Sequence, residues 1–260
     1  MAIHAACRQI ANYGWVCRAS EARKHIPPEL KLVSLFGWTL GGVYLARYSS
    51  SPAGVFDELV VLAGLVWNAP TSCAWAQRVY VNSKSARDHG RRCVGLPSRL
   101  ATFSQSSVPH DSKAPGSSKP SWWNLPFAPH GAHSSEHAVV VRNCERGRRG
   151  YGRPVASFLL PAAMHNWAPH IPMQLPSFSG ATAEHPGLLQ YTCQLRTRVR
   201  PRPFQAMRAV GEYDAGHPED VSTVLQGKPL LCMEFENMEM SVPRPTPLHL
   251  AAPATAAAAV

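Results

Sequence analysis

The sequence predicts an α+β fold made mainly of antiparallel β-strands, and three observations support this prediction. Short segments rich in aromatic and β-branched residues follow one another closely, with turn residues such as those of Ser49–Gly54 between them. Residues Tyr191–Arg202 alternate between apolar and polar side chains, which is typical of a strand with one buried face. Helical patterns are confined to short stretches, so we expect a sheet accompanied by a few short helices.

Two short helices are predicted. The first, Ser20–Lys24, has a serine that can cap its first turn, and Pro27 and Pro28 end it because proline cannot continue a helix. The second, Ser83–His89, is a helical turn that we expect Gly90 to close.

Four further strands are predicted, at Trp38–Tyr48, Glu58–Trp67, Arg78–Asn82 and Leu230–Met240. The first contains Gly41 and Gly42, which indicate either a bulge or a close approach of another backbone. The second is apolar on both faces, as a fully buried strand is.

These elements are assigned to one domain formed by residues 16–105 and 167–242. Between the two parts, residues 106–166 are rich in Pro, Ser, His and Arg and lose all periodicity apart from the apolar run Ala138–Val141. We therefore expect a mobile insertion there. Residues 243–260 are predicted to be a disordered tail rich in Pro and Ala.

The positive charge of the chain is concentrated in two segments. The chain has 26 Lys and Arg against 16 Asp and Glu, a balance of +10. Residues 142–153 contain five arginines with Tyr151 as the lone aromatic, so a solvated loop is favoured over a nucleic-acid-binding module, the weaker alternative. The strand arginines Arg196, Arg198 and Arg200 are expected to form a solvent-facing sheet surface. No nucleic-acid partner is predicted.

Cysteine usage and hydropathy limit the possible surroundings of the protein. Seven widely spaced cysteines, an odd number, are typical of free thiols in a reducing compartment. The longest strongly apolar stretch, Leu59–Trp67, is far shorter than the about 20 residues that a membrane helix needs. Neither a secretory signal nor a clear transit peptide is visible. We expect a soluble intracellular protein without a transmembrane segment.

Motifs for metal, hydrolase and nucleotide chemistry have little support. The residues His133–His137 spell H-x-x-E-H, but they lie in a Pro- and Ser-rich stretch without the helical pattern that would bring both histidines to one zinc ion. Ser177 and Ser179 lack the G-x-S-x-G pattern of serine hydrolases, and Gly-rich phosphate loops are absent. No metal site and no cofactor are predicted.

Three blocks, Ala19–Gln105, Trp167–Arg202 and Val224–Val242, are more specific. They contain the strings SPAGVFDELVVLAGLVWNAPTSCAWA, GRRCVGLPSRLATFS, LLQYTCQLRTRVRP and LQGKPLLCMEFENMEM. In these blocks the chain resembles the plant neoxanthin-deficient protein family, a branch with an acetoacetate-decarboxylase-like fold. The resemblance implies a β-barrel or cone with a few short helices. Family members carry an Arg-containing strand before the position of Val16, whereas residues 1–15 look unrelated to it or shortened. We therefore expect a truncated chain whose barrel lacks its first strand, with a genuine divergent member as the alternative.

The same resemblance implies a function. It points to a role in making the xanthophyll neoxanthin from violaxanthin, as an accessory factor and not as the converting enzyme. It also implies a carotenoid or other oxygenated apolar ligand and carotenoid-pathway proteins as partners. The pathway suggests a plastid location, with the cytoplasm as the alternative.

The segment Gly95–Arg99 decides what chemistry is possible. Acetoacetate decarboxylases form a Schiff base through the first Lys of a G-x-P-K-K element, whereas this chain has Ser98 and Arg99 in place of the two lysines. A hydroxyl cannot form an iminium and Arg stays protonated, so this mechanism is excluded unless another lysine substitutes. Lys84 is the nearest, on a polar turn where a solvated ammonium is expected. No catalytic residue is predicted.

The resemblance still implies a ligand pocket, with Ser98 and Arg99 as its polar anchors. Arg99 would hold a carboxylate or a hydroxyl-rich ligand end, or else be a structural residue paired inside the barrel. The lining is predicted to come from Trp67, Cys73, Trp75, Tyr80, Leu96 and Phe103. An alternative function is a lyase or hydratase acting on small keto acids, with Arg99 binding the carboxylate and a different residue as base.

Overall fold

The computed structural model describes residues 3–68, 71–108, 136–147, 151–160, 168–202 and 228–248. The strands are β1 Ile3–Arg18, β2 Lys31–Leu32, β3 Trp38–Ser50, β4 Phe56–Asn68, β5 Thr71–Val81, β6 Ser98–Val108, β7 Glu136–Asn143, β8 Pro154–Leu160, β9 His170–Gly180, β10 Leu188–Arg202, β11 Lys228–Val242 and β12 Thr246–Pro247. The helices are α1 Ala19–Arg23 and α2 Lys84–His89, and α2 continues into one π-helical turn, Gly90–Val94.

The described strands form one hydrogen-bonded sheet. Its order is β12-β10-β11-β1-β3-β4-β5-β6-β7-β8, with β2 paired to β4 and β9 paired to β10. The pairing of β5 with β6 is parallel, and the other described ladders are antiparallel. The predicted, mainly antiparallel α+β fold with few short helices is therefore confirmed. Within the described ranges no ladder joins the two ends of the sheet, so the sheet is not closed.

The first strand is present in the sheet. Residues of β1 pair with β11 on one side, from Ile3–Val242 to Val16–Lys228, and with β3 on the other side. The expectation of a barrel without its first strand is therefore wrong. Along these two ladders, β3 and β11 provide hydrogen-bond partners for the backbone of β1. The weak strand pattern of residues 3–18 did not indicate this pairing.

Of the two expectations for Gly41 and Gly42 of β3, a bulge or a close approach of another backbone, the structure confirms the close approach. A Cβ added at Gly41 would lie 2.8 Å from the carbonyl oxygen of Leu62, so the backbones of β3 and β4 approach closely there. The register of Gly41 and Gly42 against β1 is regular, so no bulge occurs at this pair. The register shifts instead between β4 and β5, around Leu62.

The two faces of the β3–β4 pair pack in different clusters. Val43, Leu45, Leu59 and Val61 face the main core, which also contains the fully buried Trp15, Leu30 and Phe158. The opposite face of β3 contributes to a second cluster, called the Tyr48 cluster, whose buried members are Cys7, Ala46, Tyr48, Leu195, Phe235 and Met238. The alternation of strand side chains thus separates two interior regions.

Part of the segment 106–166 belongs to the sheet. Strand β6 reaches Val108 and pairs with β7, and β7 pairs in turn with β8. Val139, Val141 and Phe158 from β7 and β8 are buried in the main core. Within this segment, residues 109–135, 148–150 and 161–166 lie outside the described residues.

Both helices form where they are expected, but their ends differ from the predicted ones. Helix α1 begins at Ala19 without a side-chain cap, and the Arg23 guanidinium instead donates to the carbonyl oxygens of Ile26 and Leu30, at 2.7 and 2.6 Å. In α2, the Ser83 Oγ accepts from the amide of Ala86 at 3.3 Å. The helical segment ends at Gly95, with φ of 72°, and not at Gly90, because the π-helical turn intervenes.

The arginines of β10 face acidic partners. Arg196, Arg198 and Arg200 lie opposite Glu239, Glu236 and Glu234 of β11. Arg196 is exposed as expected, but the Arg200 side chain is only 12% exposed and its Nη1 lies 2.8 Å from Glu236 Oε1. The predicted solvent-facing surface therefore includes a largely buried ion pair between β10 and β11, Arg200–Glu236, and is not solvent-facing throughout.

Three further findings concern the cysteines, the helices and the tail. All seven cysteines are free. None of the described helices is long and apolar enough to cross a membrane. Of the predicted tail, Thr246–Pro247 pairs with β10 at Leu189 and Gln190, and residues 249–260 lie outside the described residues.

Candidate functional site

The segment Gly95–Arg99 connects the π-helical turn to β6. Ser98 and Arg99 are both buried, at 1% and 5% exposure. In the parallel ladder, Ser98 pairs with Val79 and Arg99 pairs with Tyr80. Because neighbouring residues of a strand point to opposite faces, the structure does not bring the two predicted anchors into one pocket.

Ser98 is packed against the π-helical turn. A Cβ added at Gly90 would lie 2.6 Å from the Ser98 Oγ. The Ser98 carbonyl oxygen accepts from Arg91 Nε at 2.8 Å, and the Ser98 amide donates to the Leu96 carbonyl at 2.8 Å. This hydroxyl therefore occupies a closely packed position between helix and strand.

The predicted lining of the pocket divides into three groups. Arg99 shares its sheet face with Tyr80 and Phe103, and the main core also contains Cys73 and Trp75. Leu96 packs instead beside Val79, Val81 and Ala86, in a third cluster. Trp67 is 41% exposed. It lies eight residues along β4 from Leu59, the partner of Tyr80, which is about 26 Å at strand spacing.

A polar cluster lies on the other face of the sheet. Glu58 of β4 is 9% exposed, and the Tyr48 hydroxyl donates to its Oε2 at 2.8 Å. Tyr44 and Cys7 lie close to this pair, since the pKa values of Cys7, Tyr44 and Tyr48 each respond to one another and to the Glu58 charge. We call Cys7, Tyr44, Tyr48 and Glu58 the Glu58 site.

Burial determines the charge of the Glu58 site. It raises the pKa of Glu58 to about 7, although the Tyr48 hydrogen bond acts in the opposite direction. Burial, with a contribution from the Glu58 charge, raises the pKa of Cys7 to about 12. The pKa values of Tyr44 and Tyr48 lie well above the ordinary value, mainly because of burial. Near neutral pH the Glu58 carboxyl can therefore donate or accept a hydrogen bond.

No cation neutralises Glu58 among the residues that the structure describes: the ion pairs found there involve other acids. A buried carboxyl without a cationic partner is uncommon, because an isolated buried charge is costly. Such a group is a candidate for binding or proton transfer.

A second group of polar side chains faces the Glu58 site from β9 and β10. The Glu58 charge contributes to the raised pKa of both Tyr191 and Cys193, so these residues lie within its electrostatic reach. The Cys193 Sγ lies 3.6 Å from Ser177 Oγ, and Ser179 lies close enough to Tyr191 to lower its pKa, against the larger effect of burial. These side chains supply further hydroxyl and thiol groups.

The end of strand β9 is hydrogen-bonded to the end of the π-helical turn, just before Ser98. The Ser179 Oγ donates to the Val94 carbonyl at 2.6 Å, and the Gly180 amide donates to the Gly95 carbonyl at 3.0 Å. Ser98 lies on the same sheet face as Glu58, because Val60 pairs with Val79 and Val79 with Ser98. From the strand spacings, the two Cα atoms are roughly 12 Å apart.

An open cleft of about 830 Å³ lies beside the Tyr48 cluster, between the start of β1, the start of β9, the middle of β10 and the end of β11. Its lining includes Ala5, Met173, Leu195 and Met240, which also belong to the Tyr48 cluster or pack against it. The rest of the lining is mainly polar and comes from His4, Ser50, Gln174, Gln194, Arg196, Glu239 and Ser241. The volume is within the range of about 300–1,000 Å³ that is usual for ligand sites. The apolar part of this lining packs in the same cluster as Cys7 and Tyr48 of the Glu58 site, although the residues of that site do not line the cleft themselves.

The chain was compared with known proteins. No protein-family model matches it. It is 41% identical to Protein NEOXANTHIN-DEFICIENT 1 of Oryza sativa subsp. japonica over 253 residues, covering 88% of this chain and 83% of that protein. It is 39% identical to the protein of the same name from Solanum lycopersicum, covering 88% of this chain and 86% of that protein. The chain belongs to the NEOXANTHIN-DEFICIENT 1 family.

Solved structures agree on the fold of this family member. An acetoacetate decarboxylase from Legionella pneumophila matches 96% of this chain and 88% of its own, with a TM-score of 0.64 and 12% identity. The enduracididine biosynthesis enzyme MppR, complexed with pyruvate, matches 93% of this chain and 87% of its own, with a TM-score of 0.53 and 11% identity. At these identities the similarity shows the acetoacetate-decarboxylase-like fold alone.

Glu58 is the residue that sequence reasoning missed in this NEOXANTHIN-DEFICIENT 1 family member. The predicted strand Glu58–Trp67 was interpreted as apolar on both faces, yet it starts with an acid that the structure buries. A single carboxyl at the start of an apolar strand was the available signal.

The zinc motif stays without structural support. Glu136 and His137 begin strand β7, whereas the motif needs a helix, and residues 133–135 lie outside the described residues. Among the described residues, no group of three His, Cys, Asp or Glu side chains could hold a metal ion.

Proposed function

We propose that this protein is a non-catalytic accessory factor required for the synthesis of neoxanthin, and that the cleft with the Glu58 site binds an oxygenated apolar ligand such as a carotenoid. The names of the relatives support the pathway. The observation that carries the ligand class is a buried carboxyl whose tyrosine partner packs in the same cluster as the apolar part of an open cleft.

The ligand class follows from the chemistry of the two parts. A xanthophyll has a long hydrocarbon chain and hydroxyl or epoxide oxygens on its end rings. The apolar cleft surface would contact the hydrocarbon, because burial of apolar area is its main source of affinity. The Glu58 carboxyl and the nearby phenols would bind the ring oxygens, because they can donate as well as accept.

The absence of decarboxylase chemistry is supported by the lysines. Ser98 occupies the position of the Schiff-base lysine, and Lys84, the nearest lysine in sequence, is the exposed first residue of α2. A Schiff-base lysine is activated by desolvation in an apolar pocket, and an exposed position on α2 does not provide one. We therefore expect no covalent adduct when the protein is reduced with borohydride in the presence of acetoacetate or pyruvate.

A binding experiment tests the ligand. We expect purified protein to bind violaxanthin at least about tenfold more tightly than β-carotene, which is a hydrocarbon. Bound β-carotene would leave the buried polar groups of the Glu58 site without hydrogen-bond partners, which lowers its affinity. Glu58→Leu should remove this preference and leave β-carotene binding unchanged. Asp57→Asn is the matched control, since Asp57 is the neighbouring acid of β4 and pairs with Arg47. Equal binding of both pigments by the unaltered protein would disprove the ligand class.

A genetic experiment tests the pathway. A plant that lacks the gene should lose neoxanthin and keep other carotenoids, and the unaltered chain should restore it. Restoration by the Glu58→Leu variant would separate the pathway role from the Glu58 site. Unchanged pigments in the plant without the gene would contradict the pathway role itself.

One observation supports the alternative function, a lyase or hydratase acting on keto acids, and another argues against it. A carboxyl with a pKa of about 7 is suited to act as a general base. However, Arg99 points to the opposite sheet face from Glu58, since Arg99 pairs with Tyr80 and Tyr80 with Leu59. One small keto acid would not reach both groups. Turnover of keto acids that Glu58→Gln abolishes would favour this alternative.

Location and partners belong to the same proposal. We place the protein in the plastid because the pathway operates on plastid pigments, with the cytoplasm as the alternative, and we expect contacts with carotenoid-pathway proteins. Fractionation of a tagged full-length chain decides between the two locations.

A further inference from the structure

The turn between β2 and β3 exposes two large apolar side chains. Phe36 is 92% exposed and Leu35 is 70% exposed. Leu35 and Trp38 exchange two backbone hydrogen bonds of 2.8 and 2.9 Å, so Phe36 and Gly37 are the central residues of a tight two-residue turn. The aromatic ring therefore lies at the tip of this hairpin.

The backbone of this turn does not favour phenylalanine. Phe36 has φ of 49° and Gly37 has φ of 78°, so both are left-handed, as in a type I′ turn. Asn and Gly are preferred at the first of these positions, because a larger residue is strained there. A Phe that is both strained and almost fully exposed destabilises the free protein, so folding alone does not explain it.

Neighbouring apolar side chains extend this surface. The Val33 amide donates to the Leu65 carbonyl at 2.8 Å, and Lys31 pairs with Trp67, which places the start of the turn beside the end of β4. We call the following exposed residues the apolar tip: Val33, Leu35, Phe36, Leu40 and Trp67.

The charges around the apolar tip are mainly positive. Arg18 is exposed and lies over the Trp38 ring at 5.1 Å, and the exposed Lys31 pairs with Trp67. Residues 16–40 contain four cations and two acids, Arg18, Arg23, Lys24 and Lys31 against Glu21 and Glu29. Glu21 is paired with Lys24 at 2.8 Å, which leaves Glu29 as the unpaired acid of this group among the ion pairs described.

We propose that the apolar tip inserts into the interfacial region of a lipid bilayer that has anionic headgroups. A protruding turn with Phe36 at its end can bury that ring among acyl chains, which need no pocket of matching shape. Contact with a folded protein would need such a pocket. Trp67 in the apolar tip and Trp38 next to it would lie at the level of the lipid headgroups, where tryptophan is favoured. Arg18 and Lys31 would contact the anionic headgroups. The proposal does not depend on the proposed ligand.

Vesicle sedimentation with the full-length chain tests this inference. We expect binding to vesicles of phosphatidylcholine with phosphatidylglycerol, and weaker binding to phosphatidylcholine alone. Phe36→Asn should lower the partition coefficient by about tenfold or more, because one phenyl group no longer enters the bilayer. The same variant should melt at an unchanged or higher temperature, because Asn suits the turn. Loss of binding therefore cannot result from unfolding.

Two further variants locate the contact. Lys31→Glu should lower binding to the anionic vesicles by about tenfold and leave binding to neutral vesicles unchanged. Val55→Asn is the matched control, because Val55 is 71% exposed and lies beyond the opposite end of β3. The inference is overturned if the unaltered chain binds neither vesicle, if Phe36→Asn binds as well as it, or if Val55→Asn reduces binding equally.

Discussion

Two buried glutamates in this protein have contrasting surroundings. Glu58 is 9% exposed and Glu145 is 8% exposed. Glu145 accepts from Arg87 Nη1 at 3.1 Å, from Arg91 Nη2 at 3.3 Å and from the Leu100 amide at 2.8 Å. Glu58, in contrast, accepts from the Tyr48 hydroxyl.

The difference shows how surroundings separate a structural carboxylate from a responsive one. At Glu145, two guanidinium groups and an amide compensate for lost hydration, so the carboxylate connects α2 and the π-helical turn to β6. At Glu58, a single phenol leaves much of the burial cost uncompensated, and the pKa rises to about 7. Glu58 can therefore respond to pH and to a ligand.

The largest expected effect comes from Glu145. Glu145→Gln should destabilise the protein by about 3 kcal/mol or more near neutral pH, because Arg87 and Arg91 lose their shared carboxylate. Urea unfolding measures this loss. Asp57→Asn, which removes an ion pair to the half-exposed Arg47, should cost about 1 kcal/mol or less. Similar losses in both variants would contradict a structural role for Glu145.

The next effect concerns pH and Glu58. Its folded pKa of about 7 lies above the ordinary value of 4.5, so the folded state binds this proton more tightly than the unfolded state. Stability should fall as the pH rises from about 4.5 to about 7, by up to roughly 3 kcal/mol, and the contribution should then stay constant. Urea unfolding at a series of pH values measures the fall.

A matched variant isolates this contribution. Glu58→Gln cannot ionise and keeps an oxygen that accepts from Tyr48, so its stability should lack the fall between these pH values. If the variant and the unaltered protein show the same pH dependence, another group causes it and the contrast with Glu145 fails.

A smaller effect is expected where the π-helical turn meets β6. Gly90→Ala would place a methyl group 2.6 Å from the Ser98 Oγ, so we expect destabilisation of about 1–3 kcal/mol. In the double variant Gly90→Ala/Ser98→Ala the nearest conflicting atom is removed, and much of the stability should return. No recovery in this double-mutant cycle would show that the Ser98 hydroxyl is not what fills this space.

The smallest expected effect comes from Tyr48. Its hydrogen bond lowers the pKa of Glu58, so Tyr48→Phe should move the midpoint of the pH-dependent stability upward. The loss of one hydrogen bond should cost about 1 kcal/mol above that midpoint. A midpoint that moves downward would mean that the phenol favours the protonated carboxyl instead.

Much of the fold could be predicted from local pattern. The strands at Trp38–Tyr48, Glu58–Trp67 and Tyr191–Arg202 are present because their alternation or apolar content suits a sheet, and both short helices are found. Strand β1 was missed because its mixed composition, with two arginines, an asparagine and several alanines, has little strand signal of its own. It is a strand because β3 and β11 pair with it.

The candidate site was less predictable. The replacement of two lysines by Ser98 and Arg99 could be recognised from the sequence, and it excluded Schiff-base chemistry there. Their placement on opposite faces of β6 needed the strand to be known. Glu58 was missed because one acid in an apolar strand looks the same whether it faces water or a tyrosine from another strand.

The sequence by itself determined the family, the strand-rich fold class and the absence of a lysine pair at Ser98 and Arg99, because these depend on the order and type of residues. The tertiary structure alone decided which carboxyl is paired with cations, which tyrosine meets Glu58 and which apolar turn is exposed. These features depend on contacts between residues far apart in the chain. Tyr48 and Glu58 lie on different strands, and Glu145 is distant in sequence from both of its arginines.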